Sequence, residues 1–153
     1  MPIDQIERKI LKEYLMNAKL SSHEIARKIG ASVGTVLSRT RRMEKEGIIK
    51  GYSAVLDHTK LGYELTVVIE IIVSKGKVIE IGEEIAKLPQ VCALYNVTGR
   101  TDAIMIAKFK TRKELSGFTK NLLKMPNVVR TYTHVVLEAT KEDFNSIGAQ
   151  DSL

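Results

Sequence analysis

A single cysteine, Cys92, stands in the whole sequence, and one thiol can close neither an intrachain disulfide nor a cysteine-based zinc cluster. Its neighbours Val91 and Leu94 lead us to expect a small buried core residue. No apolar run approaches the roughly 20 residues that a membrane span needs, and residues 1–20 are charged throughout rather than built like a signal peptide. The expectation is a soluble, cytoplasmic protein. Only 3 prolines and 10 glycines occur, which argues against long disordered stretches in a chain that is 44% hydrophobic and 27% charged. The three histidines, His23, His58 and His134, are scattered. No metal-ligand spacing, phosphate-binding loop or paired-acid signature accompanies them, so neither a metal site nor an enzyme is expected.

Charge is present in excess, but unevenly. The net charge is +6; residues 1–51 hold 11 Lys/Arg against 6 Asp/Glu, and the remainder is close to balanced. A positive front third suits a polyanionic partner.

Apolar periodicity predicts three helices in that front third. Over residues 4–16, Ile6, Ile10, Leu11, Tyr14 and Leu15 recur at helical spacing while Glu7, Arg8, Lys9, Lys12 and Glu13 fill the other face. A short second helix starts at Ser21 or Ser22, with Glu24 placed to complete a capping box, and stops at Gly30. A third runs from the N-cap candidate Ser32 to Gly47. Projected at 3.6 residues per turn, it places Val33, Val36, Leu37, Thr40 and Met43 on one side, opposite Gly34, Thr35, Ser38, Arg42 and Lys45, with Arg39 and Arg41 on the flanks.

Residues 48–56 read as one or two short extended pieces interrupted at Gly51, suited to a wing or a linker strand. The pattern then lapses near residues 57–62. Beyond it come a strand (65–73), a helix (78–88), two strands (91–97 and 103–109), a helix (113–124) and a strand (128–137). The fold class expected is α+β: an N-terminal winged helix-turn-helix (1–51), a connector (52–63) and a ferredoxin-like βαββαβ sandwich (64–153) with both helices on one sheet face. The other sheet face needs a cover. Residues 144–153 carry no pattern and are expected to fray or cross to a partner chain.

A helix entering the DNA major groove needs a core stripe, small residues for close approach, and donors for base edges and phosphates. The third helix has all three. Thr35 and Ser38 let it sit deep, Arg39 and Arg42 reach a guanine edge or a phosphate, and Arg41, Lys45 and Lys28 reach phosphates. Ser21, Ser22 and Ser32, at helix starts, add backbone donors. Arg42 is expected to serve binding rather than stability.

Two stretches, IDQIERKILKEYLMNAKLSSHEIARKIGASVGTVLSRTRRMEKEGIIKGYSAVLD and NVTGRTDAIMIAKF, resemble the helix-turn-helix and the glycine-to-aspartate signature of the Lrp/AsnC (feast/famine) regulators. The resemblance covers nearly the whole chain, with Glu7 standing where the family more often has aspartate. It implies homodimers paired through their sheets and assembled further, often to octamers. It also implies an amino-acid effector bound between dimers, near the loop Thr98, Gly99, Arg100, Thr101 and Asp102 and against strand residues of a neighbouring subunit. Those five residues offer close backbone access, a fixed positive charge, a hydroxyl and a carboxylate, though glycine and aspartate also make ordinary hairpin turns. Thr131, Thr133 and His134 are expected on the opposite wall. With no acidic pair ready for a basic side chain, glutamine or asparagine is the expected effector. Two rival functions are an architectural DNA-compacting protein without effector response and a small ferredoxin-like enzyme.

Overall fold

A computed structural model describes residues 3–144. The chain divides into two compact units: one holds the residues up to Val55 and takes the chain back from Lys141, and the other is Leu56–Thr140. The behaviour expected of residues 144–153 falls outside the described residues, apart from Phe144, which is exposed.

The first unit is three helices, α1 (Gln5–Met16), α2 (Ser22–Ile29) and α3 (Val33–Lys45). Each begins on a residue whose side-chain oxygen accepts an orphan amide. Asp4 caps Glu7, Ser21 caps Glu24 and Ser32 caps Thr35, with Glu7 and Glu24 closing reciprocal capping boxes. Such a cap contributes about 1 kcal/mol. Gly30 and Gly47, both at φ +70°, stop α2 and α3 in the left-handed region. After α3 the Ile48 amide bonds the Met43 carbonyl (2.9 Å) and the Gly47 amide the Glu44 carbonyl (3.1 Å), the two bonds of a Schellman stop. Ile10, Ile25, Ala26, Val36 and Met43 form the core where the helices meet.

Residues 48–56, expected to be extended pieces, join no strand ladder. Among the described residues the first unit is helical and presents no sheet edge to pair with. Tyr52 anchors the segment instead, with its ring edge-on to Tyr14 (5.3 Å) and its hydroxyl donating to Glu44 (2.9 Å).

The second unit runs β1 (Leu65–Val73), α4 (Val78–Ile85), β2 (Val91–Asn96), β3 (Ala103–Phe109), α5 (Arg112–Lys124) and β4 (Val128–Val135). Its four strands lie in the order β2-β3-β1-β4, antiparallel throughout. Helix α4 stops at Ile85 rather than at 88: the Lys87 and Leu88 amides bond the Glu84 and Ile85 carbonyls, so the chain tightens into i→i−3 turns ahead of Pro89. Successive strand residues face opposite sides of a sheet. Val67, Ile69 and Ile71 of β1, with Met105, Ala107 and Phe109 of β3, are buried together with Ile81, Ile85 and Leu122 of the helices. Val68, Ile72, Ile104 and Ile106 face the other side and are half-buried.

Cys92 corrects the expectation of a buried thiol. The β2–β3 register shifts between Val91 and Ala93, and the extra residue of that bulge leaves Cys92 exposed.

Phe109 is 1% exposed and stacks edge-on with Phe118 at 5.0 Å. Phe109→Ala is expected to cost about 3–5 kcal/mol. Denaturant titration measures the loss, and hydrogen exchange should show it as reduced protection of β1 and β3 amides.

Candidate functional site

With Val36, Thr40 and Met43 buried, α3 turns Gly34, Ser38, Arg41 and Lys45 to solvent. Among the described residues no carboxylate pairs with Arg41 or Lys45. A Cβ at Gly34 would meet nothing closer than the Ser32 hydroxyl at 3.9 Å, so the patch is open to close approach. Thr35 is half-buried, and its hydroxyl lies 2.8 Å from that of Ser32, whose oxygen also accepts the Thr35 amide at 3.0 Å. At the start of α2 the Ser21 hydroxyl is occupied by Glu24: it accepts the Glu24 amide (3.3 Å) and donates to the carboxylate (2.7 Å). Ser22 follows with its amide in the first turn, where the helix dipole favours an anion.

Three cations expected on this interface have partners inside the chain. Arg42 requires a correction. Its Nη2 donates to Glu7 Oε2 (3.0 Å) and its Nε lies 2.9 Å from Glu7 Oε1, an approach that is Coulombic rather than a directed hydrogen bond. Glu7 is wholly buried, and its Oε2 also accepts the Asp4 amide at 3.0 Å. The sequence reading placed Glu7 on the polar side of α1, yet it shares the i, i+3, i+7 row of Ile10 and Tyr14 that turns inward. Arg42 follows it toward α1, away from the outward face assigned by the projection. Arg39 lies 3.2 Å from Asp4 and 3.8 Å from Glu7, and Lys28 pairs with Glu13 at 2.7 Å.

The second unit separates the residues expected at the effector site. The loop from 97 to 102 closes on itself: the Val97 amide bonds the Asp102 carbonyl, and the Asp102 amide bonds the Ile71 carbonyl, both at 3.0 Å. Asp102 Oδ2 accepts the Val73 amide at 2.9 Å, at the point where the β1–β4 register shifts. That carboxylate oxygen therefore clamps the end of β1. Thr101 is buried, whereas Thr98, Gly99 and Arg100 are exposed, and Gly99 at φ +127° holds a conformation that a side chain disfavours.

Strand alternation splits the expected opposite wall. Thr131 and Thr133 pair with Ile71 and Ile69, so they face the helices; His134 pairs with Val68 and faces the other way. His134 Nε2 lies 3.0 Å from Glu70 Oε1 on that face. Within one chain His134 thus leaves the two threonines, which is the correction that the pleat imposes. Thr131 and Thr133 line a groove of about 730 Å³ between β4 and α5, together with Leu65, Arg112, Leu115, Ser116, Thr119, Leu123 and Val135. Four hydroxyls, one arginine and an apolar floor line it, and no carboxylate does. Sequence reasoning missed Ser116, Thr119 and Arg112; their i, i+4, i+7 spacing on α5 is the signal that was available.

Among the described residues no cluster of His, Cys, Asp or Glu could hold a metal ion, and no helix is long and apolar enough to cross a membrane.

Comparison with known proteins places these features in context. Residues 3–50 match the family model for a winged helix-turn-helix DNA-binding domain, and residues 66–146 that for the Lrp/AsnC ligand binding domain. An HTH-type transcriptional regulator of Pyrococcus furiosus is 43% identical over 94% of this chain and 97% of its own. Among solved structures, a transcriptional regulator of Neisseria meningitidis in complex with L-Met superposes with TM-score 0.87 at 25% identity, covering 94% of this chain and 96% of that one. AsnC of E. coli superposes equally well, at 25% identity over 94% and 97%.

Because Glu7 is buried, removing its partner strands a charge away from water. Arg42 keeps some exposure, so Arg42→Ala is expected to cost about 2–3 kcal/mol, below the range for fully buried pairs. Thermal and denaturant unfolding of the variant measure it; an unchanged melting profile would contradict the structural role.

Proposed function

Since the chain belongs to the Lrp/AsnC family of HTH-type transcriptional regulators, we propose that it is sequence-specific for double-stranded DNA and responds to a neutral amino acid bound between subunits. The observation that carries the DNA reading is the exposed strip of α3, Gly34, Ser38, Arg41 and Lys45, where small residues admit the groove and unpaired cations meet phosphates. Ser32 and Thr35 begin the helix beside that strip, Ser22 adds the dipole end of α2, and Arg39 stands on its flank, paired with Asp4. Ser21 and Arg42 support the interface from behind, through the cap and the α1–α3 ion pair, and Lys28 stands at its edge beside Glu13.

The effector reading rests on the groove between β4 and α5. Thr131, Thr133, Ser116 and Thr119 offer neutral donors and acceptors, Arg112 suits an α-carboxylate, and the apolar floor suits a short side chain. The absence of an acidic lining disfavours lysine or arginine, so glutamine, asparagine or a small apolar amino acid fits best. The exposed loop residues Thr98, Gly99 and Arg100 of a neighbouring subunit would close such a site, held in shape by Thr101 and Asp102. The L-Met in the Neisseria structure belongs to that protein and is consistent with an effector of this class.

The sheet face carrying Val68, Ile72, Ile104 and Ile106 is suited to pair with its own copy, giving a dimer that assembles further, to an octamer in this reading. Two recognition helices on one dimer would then engage successive major grooves. An effector that prefers one assembly must shift DNA affinity, and DNA must shift effector affinity by the same factor.

Footprinting on duplexes selected by binding should show two-fold related half-sites about 34–36 Å apart; featureless coverage would favour a compacting protein. Calorimetric titration with the full set of protein amino acids should give heat for one or a few neutral ones. Thr133→Val should then weaken that effector about threefold to tenfold, as loss of one hydrogen bond does, while effector-free DNA binding stays unchanged. Silence from every amino acid would remove the effector from the reading.

A further inference from the structure

Two arginines of α3, three residues apart, face the start of α1 in very different settings. Arg42 is locked against a wholly buried Glu7. Arg39 meets Asp4 instead, Nη2 to Oδ2 at 3.2 Å, and both side chains are more than a third exposed, at 37% and 39%. Its Nη1 reaches Glu7 Oε1 only at 3.8 Å. Exposed pairs of this kind are weak and exchange readily with other anions. A carboxylate and a phosphate present the same pair of oxygens to a guanidinium, so the two compete for one site.

We infer that Asp4 is an internal surrogate for a DNA phosphate: it occupies Arg39 in the free protein and yields that guanidinium when duplex arrives, so the start of α1 sets how tightly α3 binds. The inference rests on the DNA reading given above. Asp4 is suited to this second task because its first fixes it in place: Oδ1 accepts the Glu7 amide at 2.8 Å as the N-cap of α1, leaving Oδ2 turned to Arg39. The Glu7 amide bond, and after it Arg39, the Ile6 amide and Arg42, hold the Asp4 carboxyl below the usual carboxylate range, so it is charged at neutral pH. DNA binding through Arg39 must therefore displace a real negative charge, and part of the affinity is withheld.

Asparagine caps a helix as well as aspartate does, which allows the charge to be removed without the cap. Wild type, Asp4→Asn, Arg39→Gln and the double variant are to be compared on one long mixed-sequence duplex across a salt series. Asp4→Ser, equally able to cap, serves as a second neutral variant. Asp4→Asn should bind about three- to fivefold more tightly per subunit at low salt, with a steeper salt dependence approaching about 0.9 per added phosphate contact. The gain should vanish in the Arg39→Gln background, and melting profiles should match wild type. Affinity that is unchanged or weaker in the neutral variants would overturn the inference, as would an equal gain without Arg39, since that marks general charge repulsion. A wild-type chain indifferent to duplex would overturn the DNA reading, and this inference with it.

Discussion

A carboxylate with no exposed surface, Glu7, is the constraint around which the helical unit is arranged. Burying a charge costs several kcal/mol unless it is paired and hydrogen-bonded, so each group around it has to be in place at once. The Asp4 amide supplies one partner from the start of α1, and Arg42 supplies the other from the far half of α3. The pair ties the first helix to the third across 35 residues of sequence. An apolar residue at position 7 would pack there, but it would not fix which turn of α3 faces α1. With the rotation of α3 set, Val36, Thr40 and Met43 turn inward and the strip from Gly34 to Lys45 turns out.

The same network sorts the cations. A count of positive charges over residues 1–51 treats them as equivalent, but three of those expected at the interface are balanced within the chain. Arg42 is bound to a buried group, Lys28 to Glu13, and Arg39 to a half-exposed aspartate. What remains open on α3 is Arg41 and Lys45, on a strip made shallow by glycine and serine. The acids beside the cations thus decide which of them stay unpaired on this helix as much as their number does.

In the second unit the governing constraint is the pleat. A period of two decides which residues can share a site, and it places Thr131 and Thr133 under α5 while turning His134 to the opposite sheet face beside Glu70. Asp102, attractive as a ligand for a zwitterion, spends one carboxylate oxygen on the Val73 amide and so fixes the loop that carries Gly99. The groove runs along β4 from Thr131 to Val135, and only its Thr131 end shares a cross-strand row with Ile71 and with Ala103, the residue after the loop.

The order of elements, nearly all their boundaries and both core stripes were legible in the sequence, because they follow from local causes. Ser21, Ser32 and Asp4 cap whatever helix follows them, Gly30 and Gly47 take up φ +70° at little cost, and apolar spacing of 3.6 or 2 marks the buried face. The resemblance of two motifs supplied the family. The helical rows of Glu7 and of Ser116 and Thr119 were also in the sequence, but tertiary structure decided what they meet: that Arg42 serves Glu7, that the α5 hydroxyls join Thr131 and Thr133, that a bulge exposes Cys92, and that His134 parts from the threonines. Each of these depends on which distant segment packs against a residue. Ion pairs across 35 residues and the register of paired strands are settled by the assembled fold, and no local spacing in the chain encodes them.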